Sequence, residues 1–168
     1  LRNRRLRYAH GSGITETTPC PRFGVKARKR IAREIRKIKP DTVVTLNWDE
    51  KATWGLNQAD HRAAGLATLD AIRDADNPWV FRDLMAGEGL EPWGVTRLIV
   101  NGVVPDYAVE LTEANIDAAV DSLRCHKQYL SALGSHPDPQ EMITGMTADA
   151  GRAAGVAHAL GIKLYELR

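Results

Sequence analysis

Apolar residues recur along the chain with two different spacings, which predict alternating helices and strands. The predicted helices cover residues 25–39, 58–73 and 113–131, and a fourth helix begins after Asp138. The predicted strands cover residues 41–46, 95–100 and 107–111, while residues 79–85 fit either a short strand or a helical turn. Alternation of this kind without internal repeats predicts an α/β fold with a Rossmann-like, mainly parallel sheet layered by helices.

Local signals mark the ends of these helices. Pro40 ends the first helix, and Asn57 is the expected N-cap of the second. Thr112 is the expected N-cap of the long helix that follows the third strand. Asp138, with Pro139 in the first turn and Glu141 at the third position, is a strong start signal for the last helix.

Length and composition favour one globular unit. The chain has 168 residues, of which 43% are hydrophobic, enough for an ordinary single-domain core. We therefore predict one α/β domain over residues 25–168 and a basic arm or loop over residues 1–24. No segment has the apolar length of a membrane span, no signal-peptide core follows the first arginines, and two cysteines suggest no disulfide framework. The cytoplasm is the default compartment.

The formal charge of +2 conceals an uneven distribution. Residues 1–40 carry 13 Lys and Arg against 2 Asp and Glu, whereas residues 41–168 carry 10 against 19. One interpretation is an anionic partner, such as nucleic acid or a lipid surface, that binds residues 1–40. The other is an ordinary solvated helix face, because the basic residues fill the positions between the isoleucines of the first helix.

The pair Asp60-His61 falls just after the first predicted strand, where α/β enzymes keep their ligands. The same residues lie in the first turn of the second predicted helix, whose positive end favours a neutral, ligating imidazole at His61. A purely structural role is open for each residue: Asp60 can bond back to the helix cap, and His61 can be an ordinary helix residue.

The segments Lys39-Pro40-Asp41-Thr42-Val43-Val44 and Asp60-His61-Arg62-Ala63 together resemble a conserved block of the PIG-L/LmbE zinc-dependent N-deacetylases. The resemblance extends over roughly residues 24–168, through a late helix that contains His126 and a closing segment rich in small residues. It implies that His61 is a zinc ligand, that Asp60 is its catalytic neighbour and that His126 is a substrate-side catalytic group. It also implies a hydrolase that removes the N-acetyl group of an N-acetylglucosamine-type conjugate.

Departures from the family pattern are equally informative. Gln58 and Ala59 stand where the family has His and Pro, so Gln58 can donate a hydrogen bond to a substrate but cannot carry a proton. The family's first His-Pro-Asp-Asp-Glu block, which supplies two zinc ligands and the general base, is absent. A hydrolytic zinc site needs three protein ligands. We therefore expect the chain to be either the C-terminal part of a longer protein, with one zinc ligand of its own, or a divergent relative of the family.

Three alternatives stay open at this stage. Trp54 or Trp48 can stack on a sugar, or either ring can simply pack in its loop. His126 lies near the apolar stripe of its predicted helix, so a core histidine is the alternative to a catalytic one. The whole chain can also be a non-catalytic binding protein of the same family, or an anion-binding module that uses the basic residues 1–40. The sequence leaves the oligomeric state open.

Overall fold

The computed structural model describes residues 24–168 and contains six helices and six strands in this part of the chain. The helices are α1 Val25–Ile38, α2 Ala59–Asp76, α3 Arg82–Glu88, α4 Glu113–Arg124, α5 Lys127–Ala132 and α6 Pro139–Ala154. The strands are β1 Thr42–Leu46, β2 Lys51–Ala52, β3 Gly55–Leu56, β4 Arg97–Asn101, β5 Tyr107–Glu110 and β6 Ala159–Glu166. The predicted arm lies outside the described residues, except for Gly24.

The main sheet has the strand order β1-β4-β6-β5, and a small hairpin pairs β2 with β3. β1 and β4 are parallel, whereas β6 is antiparallel to both β4 and β5. The predicted α/β class and the layering of a Rossmann-like sheet by helices are confirmed. The sheet is mixed, however, and not mainly parallel as expected, because β6 enters between β4 and β5 from the opposite direction.

Helices α1 and α2 cover one face of the sheet and form its tightest core. Alanines at their contact, Ala32, Ala71 and Ala75, have no exposed surface, so the two helix backbones approach closely. Leu98 and Val100 of β4 complete this core from the sheet side. Because this core is closely packed, we expect it to tolerate substitutions by larger side chains poorly.

Arg36 of α1 is buried within the same core, with 1% of its surface exposed. Its guanidinium group donates hydrogen bonds to five backbone carbonyls at and beyond the end of α2, those of Asp74, Ala75, Asn77, Val80 and Phe81. The last carbonyls of a helix have no partner within the helix itself. Arg36, which belongs to the neighbouring helix α1, therefore caps the C-terminal end of α2. Burial lowers the pKa of Arg36 from its ordinary value, and the negative charge of Asp74 opposes this shift.

Other basic side chains of α1 form ion pairs with acidic residues of α2 and α3. Arg28 makes a bidentate contact with Asp74, with N–O distances of 2.9 and 2.8 Å, and these hydrogen bonds raise the pKa of Arg28. Lys29 pairs with Asp83, and Arg33 with Glu88. The helix-face interpretation of the basic segment is thus supported in a modified form, because these cations are balanced inside the fold and not by solvent alone.

The opposite face of the sheet is covered unevenly. Helix α6 packs on β6 and α4 packs on α6, and Ile116, Val120, Ala159 and Ile162 are buried in this region. At the other end, the side chain of Val44 on β1 is 66% exposed and Leu46 is also exposed. Since β1 is an outer strand of the described sheet, this part of the face has no helix of residues 24–168 above it.

Several element boundaries differ from the predicted ones. The long predicted helix 113–131 is interrupted at Cys125 and His126, which separate α4 from α5. Residues 79–85 contribute to a short helix, α3, and not to a strand. The central strand β6 was not predicted at all. Both strong start signals are confirmed: Thr112 forms a capping box with Asn115, and the Asp138 carboxylate accepts from two backbone amides of α6.

No helix within residues 24–168 combines the length and the apolar character that crossing a lipid bilayer requires.

Candidate active site at the start of helix α2

The parallel strands β1 and β4 end side by side, and the chain then loops from β1 into α2. In parallel α/β sheets ligands collect at this carboxyl edge. The loop is held by two buried asparagines, Asn47 and Asn57. Their side chains form hydrogen bonds to the backbone of the loop and to the backbone after the neighbouring strand, and these bonds stabilise the conformation of the loop.

Asn47 connects the two strands at this edge. Its side-chain nitrogen donates to the carbonyl of Gly102, after β4, at 3.0 Å and to the carbonyl of Lys51 at 2.8 Å. Its side-chain oxygen accepts from the backbone N–H of Asp49. Buried amides of this kind fix a loop because each lost bond leaves an unpaired polar group. Asn47 therefore fixes the hairpin β2–β3 relative to the end of β4.

Asn57 fixes the other end of the loop. Its side-chain nitrogen donates to the carbonyls of Asn47 and Asp49, at 2.8 and 3.1 Å. The prediction that Asn57 is the N-cap of α2 is wrong by one residue: Gln58 occupies that position, and no side-chain cap bond is formed. Asn57 is instead committed to the loop, which leaves the first turn of α2 open to other groups.

His61 and Asp60 lie in this open first turn. The Asp60 carboxylate is exposed and accepts a hydrogen bond from the backbone N–H of His61 at 2.9 Å. It bonds neither to the ring of His61 nor back to Asn57, whose N–H donates to Glu50. The capping alternative for Asp60 is therefore wrong, and its catalytic role stays a prediction.

The His61 ring is half-buried, and its Nδ1 atom is fully buried without a hydrogen-bond partner. The side-chain oxygen of Asn57, four residues earlier, is likewise buried and unpartnered. Such groups are uncommon in folded proteins, because each costs about 1–3 kcal/mol. Both unpaired atoms belong to residues at the start of α2, next to the exposed side chains of Gln58 and Asp60.

The position of α2 itself is fixed by Gly65, one turn after His61. A Cβ atom at Gly65 would lie 2.5 Å from the carbonyl oxygen of Leu46, at the end of β1. Only glycine allows the helix to approach the strand this closely. The depth at which His61 sits over the carboxyl edge therefore depends on the absence of one methyl group.

Trp54 lies on the β2–β3 hairpin, between the two asparagines. Its side chain is 55% exposed, and its ring contacts Gly102 so closely that a Cβ atom there would lie 2.7 Å from Cη2. Gly102 also has a positive φ of 79°, which favours glycine. Trp54 thus stands at the carboxyl edge of β4, where it also lines a cavity together with residues of α4 and α6.

His126 is not a core residue, contrary to the alternative open from sequence. It is exposed and forms the N-cap of α5, at the break between α4 and α5. Its backbone N–H donates to the carbonyl of Leu123 at 3.0 Å, so its backbone links the two helices. Gln58, Asp60 and His61 are brought together on one turn, with Trp54 on the neighbouring hairpin, whereas the catalytic role of His126 stays a prediction.

Two further histidines lie away from α2. His158 is half-buried, and its Nδ1 atom lies 2.9 Å from the hydroxyl of Thr147. His136 contacts the carbonyl of Pro137 in an exposed loop. His10 lies outside the described residues.

The donor set for a zinc ion is incomplete in residues 24–168, where no three His, Cys, Asp or Glu side chains are grouped to hold a metal. His61 offers one nitrogen donor, and its unpartnered ring atom is compatible with a ligand, but one donor does not make a site.

Comparisons with solved structures identify the fold. N,N'-diacetylchitobiose deacetylase from Pyrococcus horikoshii superposes with a TM-score of 0.69 at 18% identity, over 86% of this chain and 52% of that one. The conserved protein TT1542 from Thermus thermophilus gives 0.65 at 20% identity, over 86% and 62%. The 4-carboxy-2-hydroxymuconate hydratase GalB from Pseudomonas putida gives 0.57 at 16%, over 85% and 59%.

These likenesses establish a shared α/β fold. The chain spans about half to three fifths of the length of these three proteins. No protein-family model matches the sequence, and no curated protein does. One fold carries a deacetylase and a hydratase among these neighbours, so the chemistry has to be inferred from the site and not from the fold.

Proposed function

We propose that this chain is part of a hydrolase that removes the N-acetyl group from an N-acetylglucosamine-type conjugate, as part of a longer protein. The observation that carries the proposal is the buried, unpartnered ring nitrogen of His61 at the carboxyl edge of the parallel strands. The fold shared with a diacetylchitobiose deacetylase supports it. So does the resemblance of the segments around Pro40 and His61 to the PIG-L/LmbE enzymes.

The reaction adds water across the amide C–N bond and gives acetate and a free amine. Negative charge develops on the carbonyl oxygen as water attacks, and groups that donate to this oxygen lower the barrier. Gln58 is exposed at the N-cap of α2 and makes no cap bond, so its amide N–H is available for this purpose. The positive end of the α2 dipole favours the same charge.

Asp60 is the exposed carboxylate nearest to this position in sequence, two residues from Gln58. One of its oxygens accepts from the His61 backbone, and the other is available to accept a proton from water or from a neighbouring group. His126 would serve as a substrate-side group, and Trp54 would stack on the sugar ring. Trp54 is the better supported of the two, since it stands at the same edge as α2.

Zinc belongs to the proposal only for the longer protein. When bound, the ion lowers the pKa of a coordinated water and polarises the acetamide carbonyl. His61 would provide one ligand, and the remaining ligands would have to come from outside residues 24–168.

The test uses the full-length protein with bound metal. Zinc content is measured by atomic emission, and acetate release is measured with N,N'-diacetylchitobiose and N-acetylglucosamine as substrates. His61→Ala should lose zinc and reduce acetate release by at least about tenfold, whereas His136→Ala, in an exposed loop, should leave both unchanged. Equal zinc content and equal activity of the two variants would contradict the proposal.

A non-catalytic binding protein is the second candidate, and Gln58 favours it, because an amide in this place cannot carry a proton. Its signature is binding of N-acetylglucosamine without acetate release and without zinc. Asp60→Asn would then leave the affinity for the sugar unchanged. If Asp60 acts in the reaction, the same change should lower kcat while the fold stays intact.

A further inference from the structure

A cavity of about 530 Å³ lies between β6, α4, α6 and the loop after β4. Its volume falls in the range of small-molecule sites. The walls are predominantly apolar side chains of several different elements. Those that matter here are Leu111, Ile116, Ala119, Ile143, Met146 and Leu160.

Some polar groups in the lining already form hydrogen bonds within the protein. The hydroxyl of Thr147 donates to the carbonyl of Ile143 and contacts His158. The side-chain oxygen of Asn115 is engaged by Thr112 in the capping box. A sugar ring placed deep in the cavity would lose its hydrogen bonds to water with little replacement. An apolar group would lose none, and it would gain from the burial of its surface.

One end of the cavity is lined by residues at the carboxyl edge that carries the candidate active site. Asn101 and Gly102 belong to its lining and mark the carboxyl end of β4, which is parallel to β1. Trp54 stands at the same place, on the hairpin that Asn47 ties to Gly102 and that leads into α2. A ligand that extends from the first turn of α2 past Trp54 would therefore enter the cavity at this end.

We propose that the cavity binds an apolar aglycone, an alkyl or aryl group attached to the N-acetyl sugar. The inference rests on the proposed function for the sugar part of the ligand, but the apolar part is assigned by the lining alone. Trp54 would separate the two subsites, with one ring face toward the sugar and the ring edge toward Gly102.

The test compares the affinities of two probes, hexyl N-acetyl-β-glucosaminide and N-acetylglucosamine, for the full-length protein by isothermal titration calorimetry. The hexyl glycoside should bind at least about tenfold more tightly. Ala150→Leu, which places a larger side chain in the cavity, should abolish this advantage. Ala153→Leu, on the same helix but outside the lining, should keep it.

A second variant guards against a folding defect in Ala150→Leu. Met146 is 60% exposed, so Met146→Gln should fold normally while adding a polar amide to the wall. It should weaken binding of the hexyl glycoside by about threefold to tenfold and leave N-acetylglucosamine unchanged. Equal affinities of the two probes for the unmodified protein would overturn the proposal, as would an advantage that survives both cavity variants.

The two proposals fail in different ways. If the hexyl glycoside binds in the cavity but no acetate is released from it, the cavity proposal stands and the hydrolase proposal falls. If acetate is released from both probes at equal kcat/KM and with equal affinity, the hydrolase proposal stands and the cavity proposal falls.

Discussion

The two faces of the sheet are packed in opposite ways. On the α1–α2 face, alanines and a buried arginine bring the helices close, and the core there has no exposed surface at Ala32, Ala71 or Ala75. On the α4–α6 face, α6 lies on β6 and α4 packs on α6, and a cavity of about 530 Å³ remains between these elements. Both faces belong to the same sheet, so the difference lies in the side chains that each helix pair presents.

The two faces therefore have different roles: one positions α2, and the other provides space for a ligand. The close-packed face holds α2, and with it His61, against β1 through Gly65. The looser face leaves room beside the same carboxyl edge, where Trp54 and Gly102 meet. A rigid side that positions a site and an open side that receives a ligand are the two requirements of a binding site on an α/β scaffold.

The largest effect on the packing of the α1–α2 face is expected from Arg36→Met. This substitution removes the donors for five buried or part-buried carbonyls at and beyond the end of α2. Unsatisfied buried groups should reduce the free energy of unfolding by about 3–5 kcal/mol. Urea denaturation followed by circular dichroism measures the loss. Arg73→Met, at an exposed position in the last turn of α2, is the control and should change stability by less than about 0.5 kcal/mol.

Ala71→Leu and Ala150→Leu compare the two faces directly. Ala71 is fully buried between α1 and α2, so the larger side chain should cost about 1–3 kcal/mol. Ala150 borders the cavity, and the same substitution should be neutral or slightly stabilising there. Thermal melts of the two variants measure the difference. Equal destabilisation by both would show that the cavity is not open to a side chain.

Gly65→Ala tests whether α2 must touch β1. The added methyl group would lie 2.5 Å from the backbone carbonyl of Leu46, and relief requires a shift of the helix. We expect a loss of about 1–3 kcal/mol together with a changed environment of His61, visible in its ring proton NMR signals. Gly145→Ala, in α6 with nothing within 4 Å of its added methyl group, should instead be neutral or stabilise by up to about 1 kcal/mol. A stable Gly65→Ala variant with unchanged His61 signals would contradict the close contact.

The smallest effect should come from the exposed pair of Lys29 and Asp83, which ties α1 to α3. The hydrogen bond from Lys29 lowers the pKa of Asp83 below its usual range. The pair therefore contributes stability at pH values above the ordinary aspartate pKa of about 4, and this contribution disappears as the pH falls through the lowered pKa. Asp83→Asn should remove this acid dependence, measured as the difference in melting temperature between about pH 7 and about pH 3 relative to the unmodified protein. High salt should mask the effect.

The parts of the fold that could be predicted are those whose sequence signals lie within a few residues of the element. The spacing of isoleucines in α1, the Thr112 cap and the Asp138-Pro139 start act within a few residues, and all three are confirmed. β6 was missed because its Gly161 and Lys163 weaken the local strand signal. It is a strand because it pairs with β4 on one side and β5 on the other. Its antiparallel direction depends on the same distant partners.

The position of Asp60 and His61 after β1 could be predicted from the sequence, whereas the side-chain bonds that hold the preceding loop could not. The strand before Asp60 and His61 indicated their position at the carboxyl edge. The roles of Asn47 and Asn57 depend on carbonyls up to 55 residues away, which no local pattern reveals. The one sequence signal is an asparagine directly after a predicted strand with a second asparagine ten residues later, at the start of the next predicted helix. The cavity likewise follows from how α4 and α6 meet β6 and not from any motif.

The contact between Arg36 and the end of α2 also has a kinetic consequence. Opening of α1 withdraws the Arg36 donors from the carbonyls at the end of α2. The two helices should therefore open and close as one unit, although β1 and the β2–β3 hairpin separate them in sequence. The ends of helices ordinarily exchange their amide hydrogens fast. In the last turn of α2, amide hydrogen exchange should instead be as slow as in the middle of α1.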